Sequence, residues 1–453
     1  MYRTLQSLTR CLLVFPLLAQ AASASADTFD DSKLVLDFRN FYMNRNFVND
    51  KAPISKQYSW SQGVLGKFSS GYTDTPVSLG FDLNAQYALR LDSSGNDGSL
   101  PFGNYSKKTT PSYGRAGATL KLRYNQTDAW IGDQQPNYPI MGSETSRQLP
   151  SVAQGAVVQN RDLEGLTLTG GRFWSQVTRE SSDHAELYLM NQSKERASDD
   201  GLDFFGVDYD VSQNFRLSHW QSVLHDIYKQ RYVGVQTRTN FGERKVLGFD
   251  IRLNDFRADG DRRGGDIDNR NYGVGLSLTQ GNHLIGATYQ RMLGKTGYPL
   301  LSGNTDVTAL VGWSSLGFIR PNEHSWSIRH VYNMAGVGLP GGRFFTRFSK
   351  GTQIDRGAGL ARDKETETDF IADYVFQTGA LKNLAIQLRY IPIRQKYGSD
   401  ADTIRFNVNY SWHVFDGARL DTLSEAAGVE HTFDQRPLKS LSAAGWRATS
   451  IGC

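Results

Sequence analysis

Cysteine is nearly missing from this chain, which holds only Cys11 and Cys453. The first lies inside an N-terminal leader, so a processed chain keeps one thiol and can form no internal disulfide. Long apolar runs are missing too. Beyond Leu18 no stretch approaches the ~18 uninterrupted apolar residues of a membrane helix. With a mean hydropathy of −0.47, a helical membrane protein is excluded. A marked excess of one charge is the third absence. Lys and Arg number 50 against 46 Asp and Glu, and two of the basic residues, Arg3 and Arg10, belong to the leader. The remaining 48 against 46 is a net charge of +2, too even for bulk nucleic-acid binding. Catalytic motifs are the fourth. Eight histidines occur, among them His184, His219, His225, His283 and His324, yet none falls in an HExxH, GxSxG or other serine, cysteine or metal motif. A hydrolase carried on a barrel needs a nucleophile or activated water with a His and a carboxylate converging on it. No enzymatic activity, cofactor or metal is therefore expected.

The leader has a definite layout. Arg3 and Arg10 flank a short polar stretch, Cys11 to Leu18 are apolar, and small residues end in Ala24-Ser25-Ala26 before Asp27. This predicts an export signal, residues 1–26, cleaved after Ala26. Its apolar run is too short for a bilayer, which takes ~20 residues, and Cys11 is not at the cleavage point, which argues against a lipoprotein. Aromatics make up 12% of the chain, with 21 Tyr and 24 Phe, and Gly reaches 45. A polar average with many aromatics and turn residues fits a transmembrane barrel, greasy toward lipid and wet within. A soluble sandwich shares part of that composition, so periodicity decides.

In Ile404 to Val414 every even position is apolar or aromatic and every odd one polar. Successive side chains of a strand point to opposite faces, so this segment is greasy along one whole face. Leu34, Leu36, Phe38 and Tyr42 likewise oppose Lys33, Asp37 and Arg39, and Leu384, Ile386, Leu388 and Tyr390 oppose Gln387 and Arg389. The alternation predicts eighteen strands from 33–44 to 403–414, with 163–172 and 183–191 among them. Residues 135–162 form one long connection and 292–323 a single external loop. The expected fold is all-β, a transmembrane antiparallel barrel over residues 27–415. Tyr332, Tyr374, Tyr410 and Trp412 suit interfacial girdles.

Several short stretches then match a known family. They include Leu36-Asp37-Phe38-Arg39-Asn40-Phe41-Tyr42, Ser69-Ser70-Gly71-Tyr72-Thr73, Ser146-Arg147-Gln148-Leu149-Pro150, Tyr289-Gln290-Arg291-Met292-Leu293-Gly294 and Phe345-Thr346-Arg347-Phe348. In this order and spacing, over about 33–415, the chain resembles the OprD-type outer-membrane carboxylate channels of pseudomonads and relatives. The resemblance implies an eighteen-strand barrel whose third external loop, here 135–162, folds inward, with Tyr138, Ser146, Arg147, Leu149 and Pro150 at the narrowing. It also implies a line of basic side chains drawing small anionic or zwitterionic carboxylates through by passive diffusion.

The residues reach part of this unaided. Arg39, Arg329, Arg347, Arg389 and Arg405 all fall on polar strand faces, with Lys67, Lys121, Arg123, Arg238 and Arg252 as secondary positions that neighbouring acids such as Asp250 can neutralise. Guanidinium offers a fork of donors matched to a carboxylate, and a narrow passage lined by one sign of charge concentrates the opposite ion. Any one of these arginines can instead brace the wall by pairing with an acid. A general porin is the other reading, but such porins usually carry an acidic constriction loop, whereas 135–162 balances Glu144 and Asp162 with Arg147 and Arg161. The expected setting is the bacterial outer membrane, with lipopolysaccharide around the barrel, assembly by the barrel-assembly machinery, and a monomer or loose trimer. Residues 416–453 lack alternation and depart from the family pattern, as a frameshifted or read-through tail or an unstructured periplasmic extension would. Which carboxylate passes is not encoded in any motif.

Overall fold

The computed structural model describes residues 31–95, 100–101, 109–190, 192–242, 244–305 and 307–416. The leader with its expected cleavage point and the tail from 417 onward lie outside them. Eighteen antiparallel strands form one sheet. The first, Lys33–Phe47, pairs with the last, Ala401–Phe415, setting Val35 opposite His413 and Phe47 opposite Ala401. That pairing closes the sheet into a barrel. Closure is what a bilayer demands, because an open edge would leave backbone N–H and C=O groups unsatisfied in hydrocarbon. No helix among the described residues is long and apolar enough to cross a membrane; the strands cross it.

The two ends differ. The end holding Lys33 and Phe415 has tight connections, including 125–126, 213–214 and 281–282. Asn125 (φ 51°) and Gly281 (φ 59°) take the left-handed conformation that two-residue hairpins need. The opposite end carries 135–151, 178–201 and 295–323. Short turns mark the periplasmic side and long loops the external one.

Ala401, Thr403 and Arg405 are buried while Ile404, Phe406, Tyr410 and Trp412 are exposed, and Leu388, Ile328, Phe348, Leu276 and Ile285 extend the outward apolar band over neighbouring strands. So much exposed apolar surface is a liability in water and is the lipid-facing wall here.

Two expectations need correction, and their errors offset in the count. Val152–Asn160 is a barrel strand that the alternation missed. Its inward Ala153 and Val157 pack in an apolar cluster with Phe173, Phe204 and Trp220, so both faces are apolar and the contrast vanishes. The strand expected at 183–191 is not in the barrel. That segment makes isolated bridges, Gln176 to Ala185, Leu187 to Ser198 and Leu189 to Leu301, and its alternating leucines bury against the same cluster rather than lipid. The long connection therefore ends at 151, not 162. The loop expected at 292–323 spans 295–323, and it lies along the inner wall.

Leu388 points outward between Ala372 and Phe406 near the middle of its strand. Leu388→Arg is expected to destabilise the bilayer-inserted barrel by roughly 2–4 kcal/mol, read as lost folded yield in a lipid-refolding titration.

Candidate functional site

All five principal arginines sit on the inner face of one arc of wall. Arg329 on His324–Asn333 lies opposite Arg347 on Gly342–Ile354, and Arg389 on Ala385–Gln395 lies opposite Arg405. Arg39 on the first strand faces Asn409. Between the two pairs runs Asp363–Val375, which places Asp363, Glu365, Glu367, Asp369 and Asp373 on the same inner face, with Asp369 opposite Arg347. The alternation Asp363-Lys364-Glu365-Thr366-Glu367 is readable in the sequence, but a strand begun at 367 cuts it off.

Part of this charge holds loop 295–323. Arg347 donates to the Leu310 and Val311 carbonyls and to Ser327 Oγ, each at 2.8 Å, with its guanidinium 5.4 Å from the Trp313 ring centre. Arg405 donates to the Ser314 carbonyl at 2.9 Å. Glu367 accepts the backbone N–H groups of Ser314 (3.1 Å), Ser315 (3.0 Å) and Leu316 (2.7 Å). Farther along, Arg252 donates to the Val307 carbonyl at 2.8 Å and Gln290 to that of Phe318 at 2.9 Å. A buried backbone needs partners for its polar groups, and a loop lying outside the strand ladder obtains them from charged wall residues. Arg347 and Arg405 are therefore anchors as well as cations.

A cleft brings four arginines together. Arg39, Arg389 and Arg405 from the wall meet Arg147 from segment 135–151, with Gln387, Asn407 and Asn409 alongside. The Gln148 side chain fixes that segment, donating to the Arg39 carbonyl at 3.1 Å and accepting from Ser61 Oγ at 2.8 Å. Leu149 is fully buried against Leu65, Ala88, Leu100 and Tyr113, and Arg115 donates to the Pro150 carbonyl. Arg147 bonds Ser146 Oγ at 3.0 Å, while its Nε is buried without a hydrogen bond. Burial, then repulsion from Arg405 and Arg179, lowers its pKa well below the ordinary arginine value. Glu144 offsets part of that repulsion. Tyr138 stands apart, 5.3 Å from Trp220 and 5.8 Å from Phe204 by ring centres.

The secondary cations are mostly wall braces. Lys67 pairs with Asp37 at 3.0 Å, Lys121 with Asp82 at 2.6 Å, Arg123 with Asp128 at 2.6 Å and Arg252 with Asp250 at 2.7 Å. Arg238 lies on the inner face of Tyr228–Asn240, without an ion pair among the described residues. Two further arginines point inward, Arg115 at the start of the strand expected at 115–124 and Arg45 just past the one expected at 33–44. Arg115 ties the carbonyls of Thr178 (2.7 Å) and Ser181 (2.9 Å) to the wall, and Arg45 donates to Thr403 Oγ1 at 3.2 Å.

The histidines make local contacts. His184 meets Asp133 at 3.0 Å, His225 meets Asp203 at 2.8 Å, His219 meets Gln221 at 2.9 Å and His283 meets His330 at 3.0 Å. Among the described residues no group of three or more His, Cys, Asp or Glu is placed to hold a metal.

A closed eighteen-strand barrel with a greasy exterior and a charged interior defines a porin. The family model of the outer membrane porins of the OprD family matches residues 26–414, and the chain belongs to that family. It is 30% identical over 415 residues to the porin-like protein GalP of Pseudomonas putida, covering 88% of this chain and 98% of the relative. Among solved structures, Pseudomonas aeruginosa OpdK with vanillate superposes with a TM-score of 0.81 at 29% identity, over 85% of this chain and all of OpdK. OccK9 of the same species gives 0.81 at 33% identity, over 85% of this chain and all of OccK9. The protein is thus a substrate-specific channel of the bacterial outer membrane, surrounded by its lipid, and not an enzyme.

Two outcomes are expected. Glu367→Ala removes the acceptor of three loop amides, each such bond to a charged group contributing about 1.5–3 kcal/mol, so limited proteolysis of the folded channel should cut within 295–323 where the parent resists. Glu323, fully buried in that loop, has its carboxyl pushed well above the ordinary 4.5 by burial and by Glu365 beside it. A raised folded pKa means stability that is full in acid and is lost as pH rises above the ordinary carboxylate value, by at most about 1.4 kcal/mol per pH unit. Glu323→Gln should flatten the decline of melting temperature between acid and alkaline pH.

Proposed function

We propose that this porin admits small carboxylate-bearing solutes by passive diffusion through the arginine cluster formed by Arg39, Arg147, Arg389 and Arg405. The observation that carries this reading is the convergence of four guanidinium groups on one cleft, two of them, Arg147 and Arg405, with a buried Nε that has no hydrogen-bond partner. Each guanidinium presents paired donors to a carboxylate. Several weak sites in series suit a solute that must also leave, and the wall continues past the cleft to Arg347 and Arg329. Segment 135–151 acts as the constriction, and Arg147 is its contribution to the pathway. The adjoining acids from Glu367 to Asp373 favour solutes that are small or zwitterionic over multiply charged anions. The vanillate in the OpdK structure makes aromatic monoacids the first class to try. Export uses the leader, cut after Ala26 beside the start of the family match at residue 26.

The experiment replaces two wall arginines of the cluster, Arg39 and Arg389. In Arg39→Gln with Arg389→Gln, benzoate permeation into proteoliposomes is expected to fall about tenfold or more, from the loss of charge-assisted hydrogen bonds. Permeation of a neutral solute of similar size should stay near the parent value. Unchanged benzoate permeation in a double variant that folds normally, or a large conductance that benzoate does not block, would overturn the reading.

A further inference from the structure

The outer surface of the barrel carries an arginine patch that the channel itself does not use. Arg231 on Tyr228–Asn240, Arg270 on Asp268–Gln280 and Arg291 on His283–Gly294 all point away from the interior, since their strand neighbours Gln230, Asn271 and Gln290 are buried inside. Each lies within four residues of the end of its strand that joins the long-loop side. Arg231 and Arg270 both face Asp255, from the two flanking strands. Arg291 faces Tyr272, the next outward residue after Arg270. Adjacent strands lie about 4.8 Å apart, so the three guanidinium groups share one small patch.

Acids are present in that patch, but another residue takes them. Arg257 forms ion pairs with both Asp255, at 2.8 Å, and Asp268. Among the described residues none of the other three arginines has an ion pair with a carboxylate, and the Nε of Arg291 is buried without a hydrogen bond. The depth of the patch is fixed by the aromatic pair Tyr272 and Tyr289, with ring centres 6.2 Å apart, because outward aromatics mark the membrane interface. Arg270 is one outward residue beyond that pair, and Arg291 is level with it. Arginine facing hydrocarbon is costly at mid-membrane and tolerable near the interface, where lipid headgroups supply anions.

We propose that Arg231, Arg270 and Arg291 form a lateral binding site for the phosphate groups of an outer-leaflet glycolipid. The guanidinium fork matches phosphate geometry, and basic clusters at headgroup level recognise anionic lipid. The site fixes one lipid against strands 228–240 to 283–294, on the outside of the wall that loop 295–323 lines within.

The test uses the full-length protein in detergent and native mass spectrometry. Diphosphoryl lipid A is expected to bind about a hundredfold more tightly than its dephosphorylated form, from three basic contacts at an anionic surface. Arg231→Gln, Arg270→Gln and Arg291→Gln together should abolish that preference while conductance and heat-modifiable mobility stay unchanged. The triple lysine variant should keep part of it, which separates charge recognition from misfolding. Equal binding of the two lipids, or an unaltered preference in the glutamine variant, would overturn the proposal. So would inorganic phosphate binding as tightly as the lipid, or a glutamine variant whose only change is in oligomeric state, which would mark a contact between copies.

Discussion

The pairing of the first strand with the last is the contact on which the rest depends. A backbone in hydrocarbon has no water to satisfy it, so every strand must have two neighbours. Here Lys33–Phe47 bonds to Lys56–Ser69 on one side and Ala401–Phe415 on the other. Once the cylinder closes, side-chain alternation sends one set to lipid and the other to the interior. Five arginines and five acids on a few neighbouring strands become tolerable only because that interior can hold water.

The interior is not an empty polar tube. Loop 295–323 is laid along the wall by Arg347, Arg405, Glu367 and Arg252, and a small sheet pairs its Asn304 and Thr305 with Ser143 and Gly142 of segment 135–151. The same charge thus serves two ends. Arg405, bonded to a loop carbonyl, has spent some of its donors, whereas Arg147, among the described residues, bonds only its neighbour Ser146 and keeps a buried Nε without a hydrogen bond. The outer surface repeats the logic, with Arg257 absorbing two carboxylates and leaving three arginines for headgroups.

Much of the fold was readable because the dyad rhythm is a local property. Strands such as Ala401–Phe415 and Ala385–Gln395 announce both faces. The rhythm misled where an inner face is apolar. At Val152–Asn160 the lumen side meets Phe173 and Trp220, so no contrast exists to read. At 183–191 the alternation is present, but it serves the interior cluster. A pattern records which side is dry, not whether dryness comes from lipid or from protein.

The sequence by itself determined an all-strand membrane wall, the family and the inward turn of Arg39, Arg329, Arg347, Arg389 and Arg405. The wall and the facing of those arginines follow from composition and a two-residue period, the family from short motif stretches in their order. Tertiary structure alone decided which arginines hold a loop and which gather at a cleft. Arg405 reaches Ser314 across 91 positions and Gln148 reaches Arg39 across 109. No local period encodes contacts between a loop and the opposite stretch of wall, because they arise only after the cylinder has closed around them.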